Sequence, residues 1–267
     1  MADRLAVIGG GAMGSAFAAG VVRAGLFAPG DVVVSDVDEA KLAALASTLG
    51  VGVTADNAEA AKAAGVVMIA VKPAIVPEVI RRISPAAGTG MLVISIAAGV
   101  KLASIEAGLP AGAPVIRAMP NTPCLIGAGA TAFSRGSCAA EEHAGRAKTI
   151  FDAVGISVEV PEKMLDAVTG LSGSGPAYVY LMIEALSDAG VRVGLPRDVA
   201  LRLASQTTLG AARMVIETQE HPARLRDQVT SPGGTTIAGL DSLERAGFRL
   251  ALMEAVKAAT RRSEELG

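Results

Sequence analysis

The sequence predicts an α/β fold with a mainly parallel sheet over residues 1–161, followed by an all-α region over 162–267. Three observations predict it. Short apolar runs alternate with helical segments as far as Val160, the rhythm of βαβ units. No convincing strand occurs from Glu162 onward. A chain of 267 residues with 51% hydrophobic content also has room for one large or two ordinary cores.

Composition removes several classes of function. The formal net charge is −2 and aromatics make up 3% with no Trp, so neither a nucleic-acid footprint nor an anionic-membrane footprint is present. No uninterrupted apolar run reaches the roughly 18 residues of a membrane helix. Arg4 to Ile8 runs straight into a glycine turn with no signal-peptide pattern. The two cysteines, Cys124 and Cys138, lack metal-type spacing and suit a reducing cytosol, so a soluble cytoplasmic protein is expected. His143 and His221 stand apart from any ligand pattern, which argues against a zinc site or a His-centred triad; no metal is expected.

The first strand is Leu5 to Ile8. It leads into Gly9-Gly10-Gly11-Ala12-Met13-Gly14, a G-x-G-x-x-G string before a small-residue helix, Ser15 to Ala24. Gly9 suits the tight turn, Gly11 the close approach of a pyrophosphate, and Gly14 close helix–strand packing. A second strand, Asp31 to Ser35, ends at Asp36, 22 positions after Gly14, where a ribose-binding acid belongs. Together these read as a dinucleotide site. An acid at this place favours NADH, because it accepts from the 2′-hydroxyl and repels a 2′-phosphate. Ser35 beside it could receive a phosphate instead, so both NADH and NADPH remain open.

Glu39 to Leu49 is helical by composition, and Asn57 is placed to cap a short helix ending near Ala64. Val66 to Val71 is a continuous apolar run of the buried parallel kind, closed by Lys72-Pro73 at the strand's carboxyl end, where open α/β sheets bind ligands. Leu92 to Ile96 and Val115 to Met119 are further strands, with a helix from Lys101 to Ala107 between them. They end in Ala97-Ala98-Gly99 and in the stiff Pro120-Asn121-Thr122-Pro123. Thr131 to Phe133, a helix from Ala140 to Val154 and a strand from Ser157 to Val160 complete the α/β part.

Helical sequence then takes over at Pro161. Gly173-Ser174-Gly175-Pro176 starts a helix whose run Tyr178 to Ile183, with Leu186, is apolar nearly all the way round. Such a helix needs burial on every side, which a partner subunit could supply. Pro196 to Glu217 gives a longer helix, Pro222 to Val229 a short one, and Phe248 to Glu265 the last. Between the last two lies Ser231-Pro232-Gly233-Gly234-Thr235-Thr236-Ile237-Ala238-Gly239-Leu240, a tight loop feeding a helix. Its first N–H groups attract anions, and a threonine either caps the helix or offers its hydroxyl to a ligand.

Five strings taken together resemble one family: Gly9 to Gly14, Val71-Lys72-Pro73, Met119 to Pro123, Leu171 to Tyr178, and Ser231 to Leu240. They are similar to the pyrroline-5-carboxylate reductases, in order and over almost the whole chain. The resemblance implies hydride transfer from NADPH or NADH to the C=N bond of 1-pyrroline-5-carboxylate, giving L-proline. It also implies an N-terminal Rossmann-like domain and a C-terminal helical domain that interlocks with a second subunit, a homodimer often found within a decamer of dimers. By that likeness Gly9, Gly11, Ala12, Met13, Gly14, Ser35, Asp36, Asn57, Ala70, Val71, Lys72, Pro73, Ala97 and Asn121 form the candidate cofactor set. The substrate set is Ser231, Gly233, Gly234, Thr235 and Thr236, with Thr236 as the catalytic candidate that hydrogen-bonds the imine nitrogen. Two other readings compete. A hydroxyacid dehydrogenase would place a lysine on the first long helix of the helical domain, and none occurs between Lys163 and Lys257. A nicotinamide sensor would bind cofactor without consuming it and would have no need of a second anion cradle.

Overall fold

Four-residue strands of uninterrupted Val, Leu, Ile and Met are stable only when both faces are covered, and the computed structural model covers them. It describes residues 4–267. In chain order the α/β part contains β1 (Leu5–Ile8), α1 (Ala12–Arg23), β2 (Val32–Ser35), α2 (Glu39–Leu49), β3 (Gly52–Thr54), α3 (Asn57–Ala61), β4 (Val66–Ile69) and α4 (Val76–Ile83). It continues with β5 (Leu92–Ser95), α5 (Leu102–Glu106), β6 (Val115–Met119), β7 (Gly129–Arg135), α6 (Glu141–Asp152), β8 (Gly155–Glu159) and α7 (Leu165–Val168). One eight-stranded sheet results, in the order β3-β2-β1-β4-β5-β6-β7-β8. Every neighbouring pair is parallel except β6 with β7. From β1 the chain winds outward to β2 and β3 on one side and to β4, β5 and β6 on the other, so strand order reverses beside β1.

Alternation along each strand divides the core in two. Leu5, Val7, Met68 and Ile94 face a cluster with Phe17 of α1 and Phe151 of α6. Ala6, Ile8, Val67 and Val93 face the other cluster, with Val76, Val79, Ile80 and Ile83 of α4. Phe151 anchors the first face, its ring centroid 6.0 Å from that of Phe17 and 5.4 Å from that of Phe133.

The structure corrects several expectations. The cap of α3 is Asp56, whose side chain accepts from the Ala58 N–H, and not Asn57, which is already the first helical residue. The short edge strand β3 and the helix α4 join the alternation where no element was expected. Helix begins at Leu165, and a single π turn, Thr169–Gly173, carries it toward the next helix. Gly173 packs closely there, since a Cβ would lie 2.7 Å from the Met119 methyl at the end of β6 and that flexible side chain would have to shift.

Helices make up the rest: α8 (Gly175–Arg192), α9 (Arg197–Thr218), α10 (Pro222–Gln228), α11 (Thr235–Arg245) and α12 (Phe248–Leu266). Packing divides the chain into two units. One runs to Ser174 and takes back Ala258–Gly267, while the other is Gly175–Lys257. The unit boundary thus falls after the π turn, whereas strand content ends at β8, close to the 161/162 change of pattern in the sequence. Within the second unit α8 packs on α9, with Gly190 so close to Ala200 that an added Cβ would lie 2.9 Å from the alanine Cβ. Only Ser187, Ala200 and Ala204 of that unit are buried within a single chain. Among the described residues no helix is long and apolar enough to cross a membrane.

Candidate functional site

Because β1 to β6 are parallel, the turns that follow them share one edge of the sheet. Gly9 to Gly14, Ser35 and Asp36, Ala70 to Pro73, Ala97 and Asn121 all follow these strands directly, beside the point where strand order reverses. Gly9 has φ +111°, and a Cβ there would sit 2.5 Å from the Ala70 carbonyl oxygen. A Cβ on Gly14 would run into the Gly9 carbonyl oxygen. Gly11 differs, since nothing lies within 4 Å of where its Cβ would be. It is the N-cap of α1, with no side-chain cap and no acid in the first turn. The first turn of α1 thus keeps its N–H groups without a side-chain cap beside an open Gly11, a start that fits a pyrophosphate.

Asp36 reaches back to this turn. Its Oδ2 accepts from the Gly10 N–H at 2.8 Å and its Oδ1 from the Asp38 N–H at 2.9 Å. Ser35 is 1% exposed, and its hydroxyl donates to Asn57 Oδ1 at 2.5 Å. The structure thus joins Ser35, Asp36 and Asn57 to the glycine turn, although Ser35 presents no free hydroxyl to a phosphate. Ala70 is held by its N–H to the Ile8 carbonyl at 2.8 Å, which fixes the Val71-Lys72-Pro73 turn beside Gly9. Lys72 is exposed and Ala97 buried.

Asn121 is engaged within the chain. Its Nδ2 donates to the Ser172 carbonyl at 3.1 Å and its Oδ1 accepts from the Ala130 N–H at 2.8 Å. The side chain braces the loop between β6, β7 and the π turn. One hollow was missed. It measures about 340 Å³ and is lined by Pro73, Ala98, Gly99, Thr169, Ser174 and the Arg262 end of α12. The signal for it was the Ala98-Gly99 turn, with Gly99 at φ +76°.

In the second unit, Ser231 to Gly234 forms a β-turn closed by the Gly234 N–H on the Ser231 carbonyl at 3.1 Å. Pro232 and Gly233, the latter at φ +68°, occupy the positions that a type II turn gives to proline and glycine. Gly234 is then the N-cap of α11 with no side-chain cap bond. No side chain caps the helix; Thr235 is exposed and Thr236 half-buried on its first turn. Both histidines are engaged as helix caps, His143 accepting from Ala140 N–H and His221 from Ala223 N–H. Burial pushes the Cys124 thiol up, so it is no nucleophile.

Comparison with known proteins finds two family models on this chain. The family model for pyrroline-5-carboxylate reductase dimerisation matches residues 162–266, and that for NADP oxidoreductase, coenzyme F420-dependent, matches 4–99. A pyrroline-5-carboxylate reductase of Synechocystis is 51% identical over 100% of this chain and 99% of its own length. The chain belongs to the pyrroline-5-carboxylate reductase family. One of Methanosarcina acetivorans is 46% identical over 99% of this chain and 98% of its own. Among solved structures, the reductase of Coxiella burnetii superposes with a TM-score of 0.95 at 37% identity, covering 100% of this chain and 99% of its own. That of Plasmodium falciparum, solved with NADP bound, gives 0.88 at 34%, covering 100% and 98%. Prephenate dehydrogenase of Aquifex aeolicus, at 14% identity and a TM-score of 0.56, shares the fold alone.

Proposed function

We propose that this chain reduces the C=N bond of 1-pyrroline-5-carboxylate to give L-proline, with NADPH or NADH as donor, as a cytoplasmic homodimer that assembles further into a decamer. The observation that carries this reading is the uncapped start of α11, an anion cradle separate from the one at the start of α1. A pyrophosphate and a substrate carboxylate each need one, and neither requires an arginine. Residues 1–161 then serve the cofactor and 162–267 the substrate and the dimer.

The nicotinamide cofactor, when bound, supplies the hydride. Gly9 and Gly14 shape the turn, Gly11 leaves room for the pyrophosphate, and the N–H groups of Ala12, Met13 and Gly14 hold it. Ser35, Asp36 and Asn57 border the adenosine ribose, and Ala70, Val71, Lys72, Pro73 and Ala97 line the edge beyond. The Ser231 to Thr236 turn binds the substrate carboxylate through backbone N–H groups and hydroxyls. Thr236 hydrogen-bonds the imine nitrogen, directly or through a water, and helps it hold the proton that makes it an iminium. A hydroxyl orients and relays; it is not a strong acid. The test is cofactor oxidation with racemic pyrroline-5-carboxylate against a hydroxyacid panel. Imine-dependent oxidation is expected, and consumption of a hydroxyacid, or of neither substrate, would overturn the reading.

A further inference from the structure

We infer that the adenosine end of this site selects NADH over NADPH, with Asp36 as the specificity-determining residue and Asp38 as its support. The inference deepens the proposed function and rests on its cofactor site.

A ribose 2′-phosphate is a dianion near neutral pH, so it needs cations or free donors at the end of β2. At the end of β2 the structure places the Asp36 carboxylate instead, and Lys41 of α2 is paired with Asp38. The Asp36 carboxylate is fixed in place by the Gly10 N–H on one oxygen and the Asp38 N–H on the other. It cannot swing away from a phosphate without releasing the glycine turn. Both oxygens keep lone pairs free to accept from ribose hydroxyls, which is the contact an unphosphorylated ribose makes. The serine that could have taken a phosphate is sealed, since Ser35 is 1% exposed and its hydroxyl is given to Asn57.

The surroundings add to the repulsion. Asp38 caps α2, accepting from the Ala40 and Lys41 N–H groups, and those bonds from Lys41 and Ala40 hold its carboxyl below the usual range. Lys41, the cation on α2, is drawn to Asp38 at 3.2 Å. Glu59 of α3 accepts at 2.5 Å from the hydroxyl of Thr54 on the neighbouring strand β3, and the Thr54 carbonyl receives the Asp36 N–H at 3.4 Å. No arginine occurs between Arg23 and Arg81. A 2′-phosphate would therefore meet fixed negative charge with the nearby cation already neutralised.

The experiment is a binding titration of the full-length protein with NADH and with NADPH, followed by nicotinamide fluorescence and by calorimetry, with turnover measured separately. NADH is expected to bind about tenfold or more tightly than NADPH, the scale on which like charges oppose association. Asp36→Asn keeps an acceptor for Gly10 and removes the charge. Asp38→Asn keeps the cap and frees Lys41. Each is expected to narrow the preference, mainly by tightening NADPH. Equal affinities in the native protein, or tighter NADPH, overturn the inference, as does a preference that neither substitution moves. Failure of both nicotinamides to bind overturns it together with the cofactor site. An NADH preference without reduction of pyrroline-5-carboxylate supports it and sinks only the proposed reaction.

Discussion

Thr236 is half-buried on the first turn of α11, and its hydroxyl does not cap the helix. Thr236→Ala should therefore leave folding unchanged while lowering kcat by about 100- to 10,000-fold, the usual contribution of a positioned proton donor. Thr236→Ser should restore most of the rate. Steady-state turnover beside thermal unfolding checks this, and unaltered turnover in the alanine variant removes the residue from the chemistry. The cysteines separate on the same scale. Cys124 is 2% exposed with its thiol pushed up by burial, so it stays protonated at neutral pH; Cys138 is exposed. A thiol reagent such as DTNB should titrate one cysteine per native chain and two after denaturation. The roles of Gly9 and Gly14 were readable in the sequence because a glycine turn between strand and helix has few solutions. That Asn121 spends its amide on Ser172 and Ala130 was not, because one partner lies 51 residues away and nothing local signals it.

At the scale of elements, one carboxylate ties three of them together. Glu162 Oε1 accepts from Arg117 Nη1 of β6 at 2.8 Å and from the Leu102 N–H that starts α5 at 2.7 Å. The Arg117 side chain is 8% exposed, so removing its partner strands a nearly buried guanidinium. Glu162→Ala should destabilise the chain by about 3 kcal/mol, the low end for breaking a buried pair because Glu162 itself is partly exposed. Urea unfolding would show this as a lower midpoint at unchanged slope; a midpoint within error of the native one would mean that the bridge contributes nothing. Mainly apolar runs were legible: β1 and β6 match the expected bounds residue for residue, the latter despite Arg117 at its centre, and α2 does so by composition. The edge strand β3 has three residues and only one large apolar side chain, too little for a pattern. Helix α4 carried its signal openly in Val76, Val79, Ile80 and Ile83, an i, i+3, i+4, i+7 stripe among charges that the flanking prolines obscured. The antiparallel direction of β7 had no signal at all, since strand direction is a property of the connection and not of the strand.

For the molecule as a whole, the decisive feature is how little the second unit buries by itself. Large apolar side chains lie open on four of its helices, among them Leu181 (67% exposed) on α8, Leu203 on α9, Leu243 on α11 and Leu250 on α12. Covering each such side chain stabilises by about 1.5–3 kcal/mol, so a helical unit left in this state would be marginal in water. The family model matched here is one for dimerisation, and a second copy would supply the missing cover. Stability and assembly are then one equilibrium, and Tm should rise with protein concentration. Leu181→Glu places a charge on the most exposed apolar position of α8. If that face is buried between subunits, the uncompensated charge should weaken the dimer by about 3 kcal/mol, roughly a hundredfold in Kd. Leu181→Ala removes contact area without adding charge and should weaken it less. Sedimentation velocity across a dilution series reads both, and a glutamate variant that dimerises as tightly as the native chain would place the interface on another face.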